Sequence, residues 1–142
     1  AHGKYTVCSQ TAQKIAAEFA CGFCDDEGTK RTIAKLFSEK DYLLDTHTAV
    51  AWNVAEEYRT KTGAERPLIV VSTASPFKFC ASVLDALGVT EHAPGTGVLG
   101  QLTAKTGRPA PKPLASLAGK AVRFDQVTDR GDMRAVVTEF LR

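Results

Sequence analysis

Four consecutive residues, Leu68, Ile69, Val70 and Val71, constrain this chain more than any other feature. The run is short, continuous and largely β-branched, which is the pattern of a strand buried on both faces of a parallel sheet. Such a strand cannot stand alone, because its backbone N–H and C=O groups need partners on neighbouring strands. The remaining sequence offers at most one further extended stretch, near 121–124, and no internal repeat or low-complexity tract that would supply more. The expectation is an α/β chain, mostly helical, with one or two strands that would belong to a larger parallel sheet.

Around that run the apolar spacing is helical. Ser9 is placed to cap a first helix whose stripe is Ala12, Ile15, Ala16, Phe19, Ala20 and Phe23, with Gly22 at a frayed end. Asp25 and Asp26 can accept from the free N–H groups of a second helix, buried through Ile33, Leu36 and Phe37 and stopping near Asp41. A third starts within 45–48, carries His47, Val50, Ala51, Val54, Ala55 and Tyr58 on one side, and stops at Gly63. Pro76 suits the first turn of a fourth, buried through Cys80, Val83, Leu84 and Leu87 and ended by Gly88. Residues 89–113, rich in Gly, Pro and Thr, read as a long connection with room for a short helix around 99–105. A helical piece near 114–118 follows, and Met133, Val136, Val137, Phe140 and Leu141 mark a terminal amphipathic helix.

Composition excludes several functions. With 44% apolar residues in 142 the chain can bury a core, and its net charge of +2, spread among acidic neighbours, gives no nucleic-acid footprint. No apolar run approaches the roughly 20 residues that span a bilayer, and residues 1–7 lack the apolar segment of a secretory signal. The expectation is a soluble, cytoplasmic protein with neither nucleic acid nor membrane as partner. Cys8, Cys21, Cys24 and Cys80 are too few and too uneven for a disulfide framework. The Cys21-Gly22-Phe23-Cys24 spacing invites a redox reading, but it falls at a helix end, where the dipole disfavours a thiolate. There is no second C-x-x-C, and His2 and His92 lack ligand spacing, so no metal is expected. Gly95-Thr96-Gly97-Val98-Leu99-Gly100 mimics a dinucleotide loop, yet no strand leads into it and it reads as a flexible turn.

Three spaced segments carry a resemblance: Asp25-Asp26-Glu27, Tyr42-Leu43-Leu44-Asp45-Thr46-His47-Thr48-Ala49-Val50, and Ile69-Val70-Val71-Ser72-Thr73-Ala74-Ser75-Pro76-Phe77-Lys78-Phe79. Together they resemble successive landmarks of threonine synthases, whose second usually reads Asp-Pro-His-Thr-Ala-Val and third Thr-Ala-His-Pro-Ala-Lys-Phe. Gly3-Lys4-Tyr5-Thr6-Val7 is similar to a segment preceding them, and Ala86-Leu87-Gly88 and Pro113-Leu114-Ala115-Ser116-Leu117 to the family's end region. Thr46 stands where the family has proline, and Ser75 where it has histidine. The resemblance implies the C-terminal part of a fold-type II pyridoxal 5'-phosphate enzyme that converts O-phosphohomoserine and water into threonine and phosphate. It implies residues 1–66 as a helical segment, 67–88 as a strand-helix unit of the cofactor domain and 89–142 as a C-terminal extension. The family's Schiff-base lysine sits in a Phe-Lys-Asp context that this sequence lacks, as it lacks the cofactor-holding Ser-Gly-Asn loop. Lys78 aligns with the later Ala-Lys-Phe landmark and is not that lysine. The fragment alone is expected to be inactive, with the N-terminal part of the same enzyme as its partner.

Six residues are candidates for chemistry. Ser72 and Thr73 end the expected strand, where ligands of open α/β sheets sit. The resemblance gives their hydroxyls to the cofactor's pyridine nitrogen; the plainer reading makes them caps of the helix at Pro76. Asp45, His47 and Thr48 cluster at a helix start, where N–H groups favour an anion such as the substrate phosphate. Asp45 is equally a simple cap, and His47 equally a satisfied core histidine. Lys78 is a phosphate partner or an ordinary surface lysine. Two other functions remain open: a non-catalytic interaction module with exposed apolar faces, and a small thiol oxidoreductase using Cys21 and Cys24.

Overall fold

Asp25 decides where the folded unit begins. In the computed structural model, which describes residues 3–142 and so leaves His2 outside the described residues, its carboxylate accepts the Gly28 N–H at 2.7 Å. That bond fixes the start of helix α2 (Asp26–Lys40), and Asp26 and Glu27 in its first turn meet the positive end of the helix dipole. Asp41 then turns into the left-handed region at φ 51°, where the helix stops. Asp45 opens α3 (Thr46–Thr62) in the same manner, and Gly63, at φ 66°, closes it.

The two long helices pack through Thr29, Thr32, Ile33 and Leu36 of α2 and Thr48 and Ala49 of α3. Two of those polar side chains are satisfied within the helix: the Thr29 hydroxyl donates to the Asp25 carbonyl and that of Thr32 to the Gly28 carbonyl, both at 2.8 Å. A short 3₁₀ turn (Pro76–Phe79) leads into α4 (Cys80–Ala86), which packs on α2 and on α5 (Gly97–Thr106). Phe77, Cys80, Val83, Leu84 and Leu102 complete the core with Ile33, Leu36 and Leu44. The hydroxyl-like thiol of Cys80 donates to the Phe77 carbonyl at 3.1 Å. On the surface Arg108 clasps Asp41, reaching its carboxylate at 2.6 Å and its carbonyl at 2.8 Å. Helix α6 (Lys112–Ala115) runs into a second 3₁₀ turn (Ser116–Gly119).

The expected sheet is absent. Helices take up 56% of the chain and no strand occurs among the described residues, so the architecture is all-helical and the α/β expectation is overturned. The reason is the one the sequence raised: residues 68–71 find no second extended segment to accept their backbone hydrogen bonds. Ile69 is 89% and Val71 70% exposed, while Val70 shares a groove wall with Trp52 of α3.

Other local expectations shift as well. Helix α1 (Ser9–Glu18) and helix α7 (Met133–Phe140) form but bury no residue. The first helix is capped at Cys8, not Ser9, and ends before Phe19. Cys21 and Cys24 therefore lie between α1 and α2, not at a helix end. Of the glycine-rich run at 95–100, residues 95 and 96 lie in a turn as expected, whereas 97–100 form the first turn of α5. The buried face of α3 runs through Thr48, Ala49 and half-buried Trp52, whereas His47, Ala51 and Tyr58 are exposed.

Candidate functional site at the start of helix α3

Asp45 is the anchor. Its side chain is fully buried, and one carboxylate oxygen accepts the N–H groups of His47 at 2.9 Å and Thr48 at 3.2 Å. Its other oxygen accepts the Thr48 hydroxyl. Thr48, itself buried, places that hydroxyl oxygen 3.1 Å from the Ser72 hydroxyl oxygen. A polar chain thus runs from the cap of α3 to Ser72 on the segment that follows residues 68–71. Thr73 is exposed next to it and makes no side-chain hydrogen bond among the described residues.

Ser75 settles one alternative. Its hydroxyl accepts the Phe77 N–H at 3.3 Å and caps the turn at Pro76, so Ser72 and Thr73 are free of that duty. Thr46 occupies the first position of α3, where proline is favoured, and sets its hydroxyl 3.3 Å from the His47 ring nitrogen Nδ1.

His47 is a surface residue, not a core histidine. Its side chain is 65% exposed, and its ring lies 4.9 Å from that of Phe79. Lys78 is exposed too, with Nζ 5.4 Å from the centre of the same Phe79 ring. The six candidates therefore fall into two groups. Asp45, Thr48 and Ser72 are joined by hydrogen bonds, with Thr73 adjoining; His47 and Lys78 flank Phe79.

The two groups face different grooves. Thr48 and Ser72 line one of about 290 Å³ with Leu36, Leu44, Tyr42 and Trp52. His47 lines an open groove of about 410 Å³ with Cys24, Lys30, Ser82 and Asp85. Lys30 there is already shared between Glu27, at 3.7 Å, and Asp85, at 3.6 Å. Sequence reasoning missed Trp52, whose buried indole N–H has no acceptor. Its position one turn after Thr48 was the available signal, since residues four apart share a helix face.

Elsewhere, burial pushes the Cys80 thiol above its ordinary range, and the hydroxyl of Thr11 lowers that of Cys8. All four cysteines are free, and no cluster of three or more metal-ligating side chains occurs among the described residues.

The family described as "Threonine synthase, C-terminal" matches residues 48–138, which run from Thr48 of the polar chain into α7. The chain belongs to that family. Threonine synthase of Corynebacterium glutamicum is 37% identical over 84 residues, 58% of this chain and 17% of the bacterial protein. That of Pseudomonas aeruginosa is 34% identical over 83 residues, 58% of this chain and 17% of its own length. Threonine synthase-like 1 of Mus musculus is 33% identical over 79 residues, 56% of this chain and 10% of the mouse protein. The chain thus spans 10–17% of the length of these relatives. The recognition drawn from the three spaced landmarks is borne out.

Proposed function

We propose that this threonine synthase C-terminal segment is the distal part of a pyridoxal 5'-phosphate enzyme that turns O-phosphohomoserine and water into threonine and phosphate. The observation that carries the reading is the Thr48–Ser72 link at 3.1 Å, which joins two residues of the matched stretch and ties Ser72 to the buried cap of α3. When bound, the cofactor supplies an electron sink. The exposed hydroxyls of Ser72 and Thr73 suit a hydrogen bond to its ring nitrogen, and Thr73 is the better candidate because its hydroxyl is otherwise unengaged. Nothing here suits covalent anchoring: Lys78 is exposed over Phe79 and lies outside any Phe-Lys-Asp context. The N-terminal part of the same enzyme is the partner that would bring that lysine, so the fragment alone is inactive. His47 and Lys78 are the groups left for the substrate phosphate, while Asp45 and Thr48 are committed to each other. Residues 1–66 serve as a helical segment, 67–88 as a unit of the cofactor domain and 89–142 as a C-terminal extension. Four free thiols suit the reducing cytoplasm, and no helix among the described residues is long and apolar enough to cross a membrane.

Thr73→Val in the complete enzyme tests the assignment. The absorbance of the bound cofactor is expected to shift and turnover to fall at least tenfold; an unchanged spectrum and rate would refute it. A second reading, a non-catalytic interaction module, draws on the exposed apolar faces of Phe19, Ile69, Val71 and Phe140. Mixing this chain with the N-terminal part separates the two, because only the enzyme reading restores threonine formation from O-phosphohomoserine.

A further inference from the structure

Residues 67–74 have little to hold them. Among the described residues no backbone hydrogen bond reaches this segment, and all of it but Val70 and Ala74 is exposed. Just before it the Arg59 guanidinium donates to the Arg66 carbonyl at 3.0 Å, and just after it Ser75 caps the turn at Pro76. Between those two points a single hydrogen bond among the described residues ties the segment down, the 3.1 Å link of Ser72 to Thr48. Thr73 makes no side-chain bond of its own, so its place follows from that of Ser72.

A bond between two exposed hydroxyls would give way to water, but the inner member of this pair is shielded and fixed. Thr48 is 4% exposed, its N–H donates to the Asp45 carboxylate at 3.2 Å, and its hydroxyl meets the other oxygen of that carboxylate. Being β-branched and in a helix, it also has few rotamers to turn to. The same carboxylate accepts the His47 N–H at 2.9 Å. One buried side chain therefore sets the start of α3 beside His47 and, through Thr48, the tip that carries Ser72 and Thr73. The two groups of candidate residues face different grooves yet share this anchor.

We propose that Thr48 is a positioning residue, a buried pin set by Asp45 that holds the tip at Ser72 and Thr73 in register with His47. The inference rests on the reading above that residues 72 and 73 face the cofactor. Thr48 touches no ligand and supplies only place; Ser72 and Thr73 remain the groups that meet the ring. Without the pin the tip is tethered only at Arg66 and Ser75, and its two hydroxyls no longer stand at one position relative to α3.

Nitrogen-15 relaxation of the 142-residue chain reads the pin. Order parameters at the Ser72 and Thr73 amides are expected at about 0.85, the value of rigid backbone, in the native chain and below about 0.6 in Ser72→Ala and Thr48→Val. Thr48→Ser keeps the hydroxyl and should restore the native values. Ser72→Ala leaves the Asp45–Thr48 pair whole, so its tip should loosen with the melting midpoint unchanged, a combination that a merely structural role does not produce. A tip already mobile in the native chain, or one as rigid in Ser72→Ala as in the native chain, would overturn the pin. Reconstitution of the complete enzyme from its apo form with pyridoxal 5'-phosphate gives the second readout. The dissociation constant of the cofactor is expected to rise by roughly tenfold or more in Thr48→Val and to return towards the native value in Thr48→Ser. A pinned tip with a cofactor affinity blind to Thr48→Val would discard the cofactor's placement at Ser72 and Thr73 while leaving the pin established.

Discussion

Asp25 and Asp45 stand at the same position relative to their helices, yet the structure sets them different tasks. Asp25 is exposed and satisfies one N–H of α2. Asp45 is buried and satisfies two N–H groups and a hydroxyl, of which the N–H and hydroxyl of Thr48 are buried with it. Losing an exposed cap typically costs about 1 kcal/mol, and leaving buried donors unsatisfied adds about 1–3 kcal/mol. Denaturant melts should therefore show Asp25→Ala less stable by about 1 kcal/mol and Asp45→Ala by about 2–4 kcal/mol. Equal losses would mean that Asp45 is only a cap. Cys80 yields a pH dependence. Burial raises its folded pKa, so as the solution turns alkaline the unfolded chain gives up the thiol proton first. The stabilisation is complete below about pH 8.5, the ordinary thiol value, and is lost as pH climbs through the raised folded value. Melts at pH 7 and 10 should show a smaller alkaline loss for Cys80→Val than for the native chain.

Whole elements reveal how far the sequence could be read. The caps Asp25 and Asp45 and the stops Asp41 and Gly63 were legible because each acts through its own backbone neighbours. The order of helices was legible for the same reason, down to the turn at Pro76. The face of α3 was not. An apolar stripe through His47, Val50 and Val54 looks better than one through Thr48, Ala49 and Trp52 until Asp45 is seen to satisfy the threonine hydroxyl. The candidate site was legible as residue types but not as two separate groups, since the link from Thr48 to Ser72 spans 24 residues. Residues 68–71 show the opposite failure. Their β-branched composition was read correctly, but strand formation depends on a second strand that composition cannot provide. Burial now separates the two ends of that unit. Leu84→Ala should cost about 2–5 kcal/mol, because Leu84 is wholly inaccessible, whereas Ile69→Ser at an 89% exposed site should stay within about 0.5 kcal/mol. Thermal melts of the two variants check both, and a large loss at Ile69 would show that the segment packs in solution as this structure does not have it.

At the scale of the molecule, the core among the described residues runs from Ile33 to Leu102, with Leu114 the last side chain packed against it. Helices α1 and α7 lie outside that range, are 10 and 8 residues long, and bury nothing. Isolated helices shorter than about 12–15 residues are marginal in water, so these two have neither length nor packing to hold them. Most of the apolar side chains in and beside them are also exposed, Ile15 at 49%, Phe19 at 74% and Phe140 at 80%, which leaves helix propensity and capping as the main support for each. Cys8 caps α1 without a side-chain bond to the backbone, and Asp132 caps α7 likewise. Native-state hydrogen exchange should then divide the chain. Amides of α1 and α7 should exchange nearly as fast as in an unfolded peptide, while those of Ile33, Leu36 and Leu84 open only with global unfolding. Removing residues 1–18 and 121–142 should accordingly leave the melting midpoint within about 3 °C of the parent, a shift below what 1 kcal/mol produces in a domain of this size. Strong protection in either terminal helix, or a larger drop on truncation, would mean that the exposed apolar faces find each other or a second copy of the chain in solution.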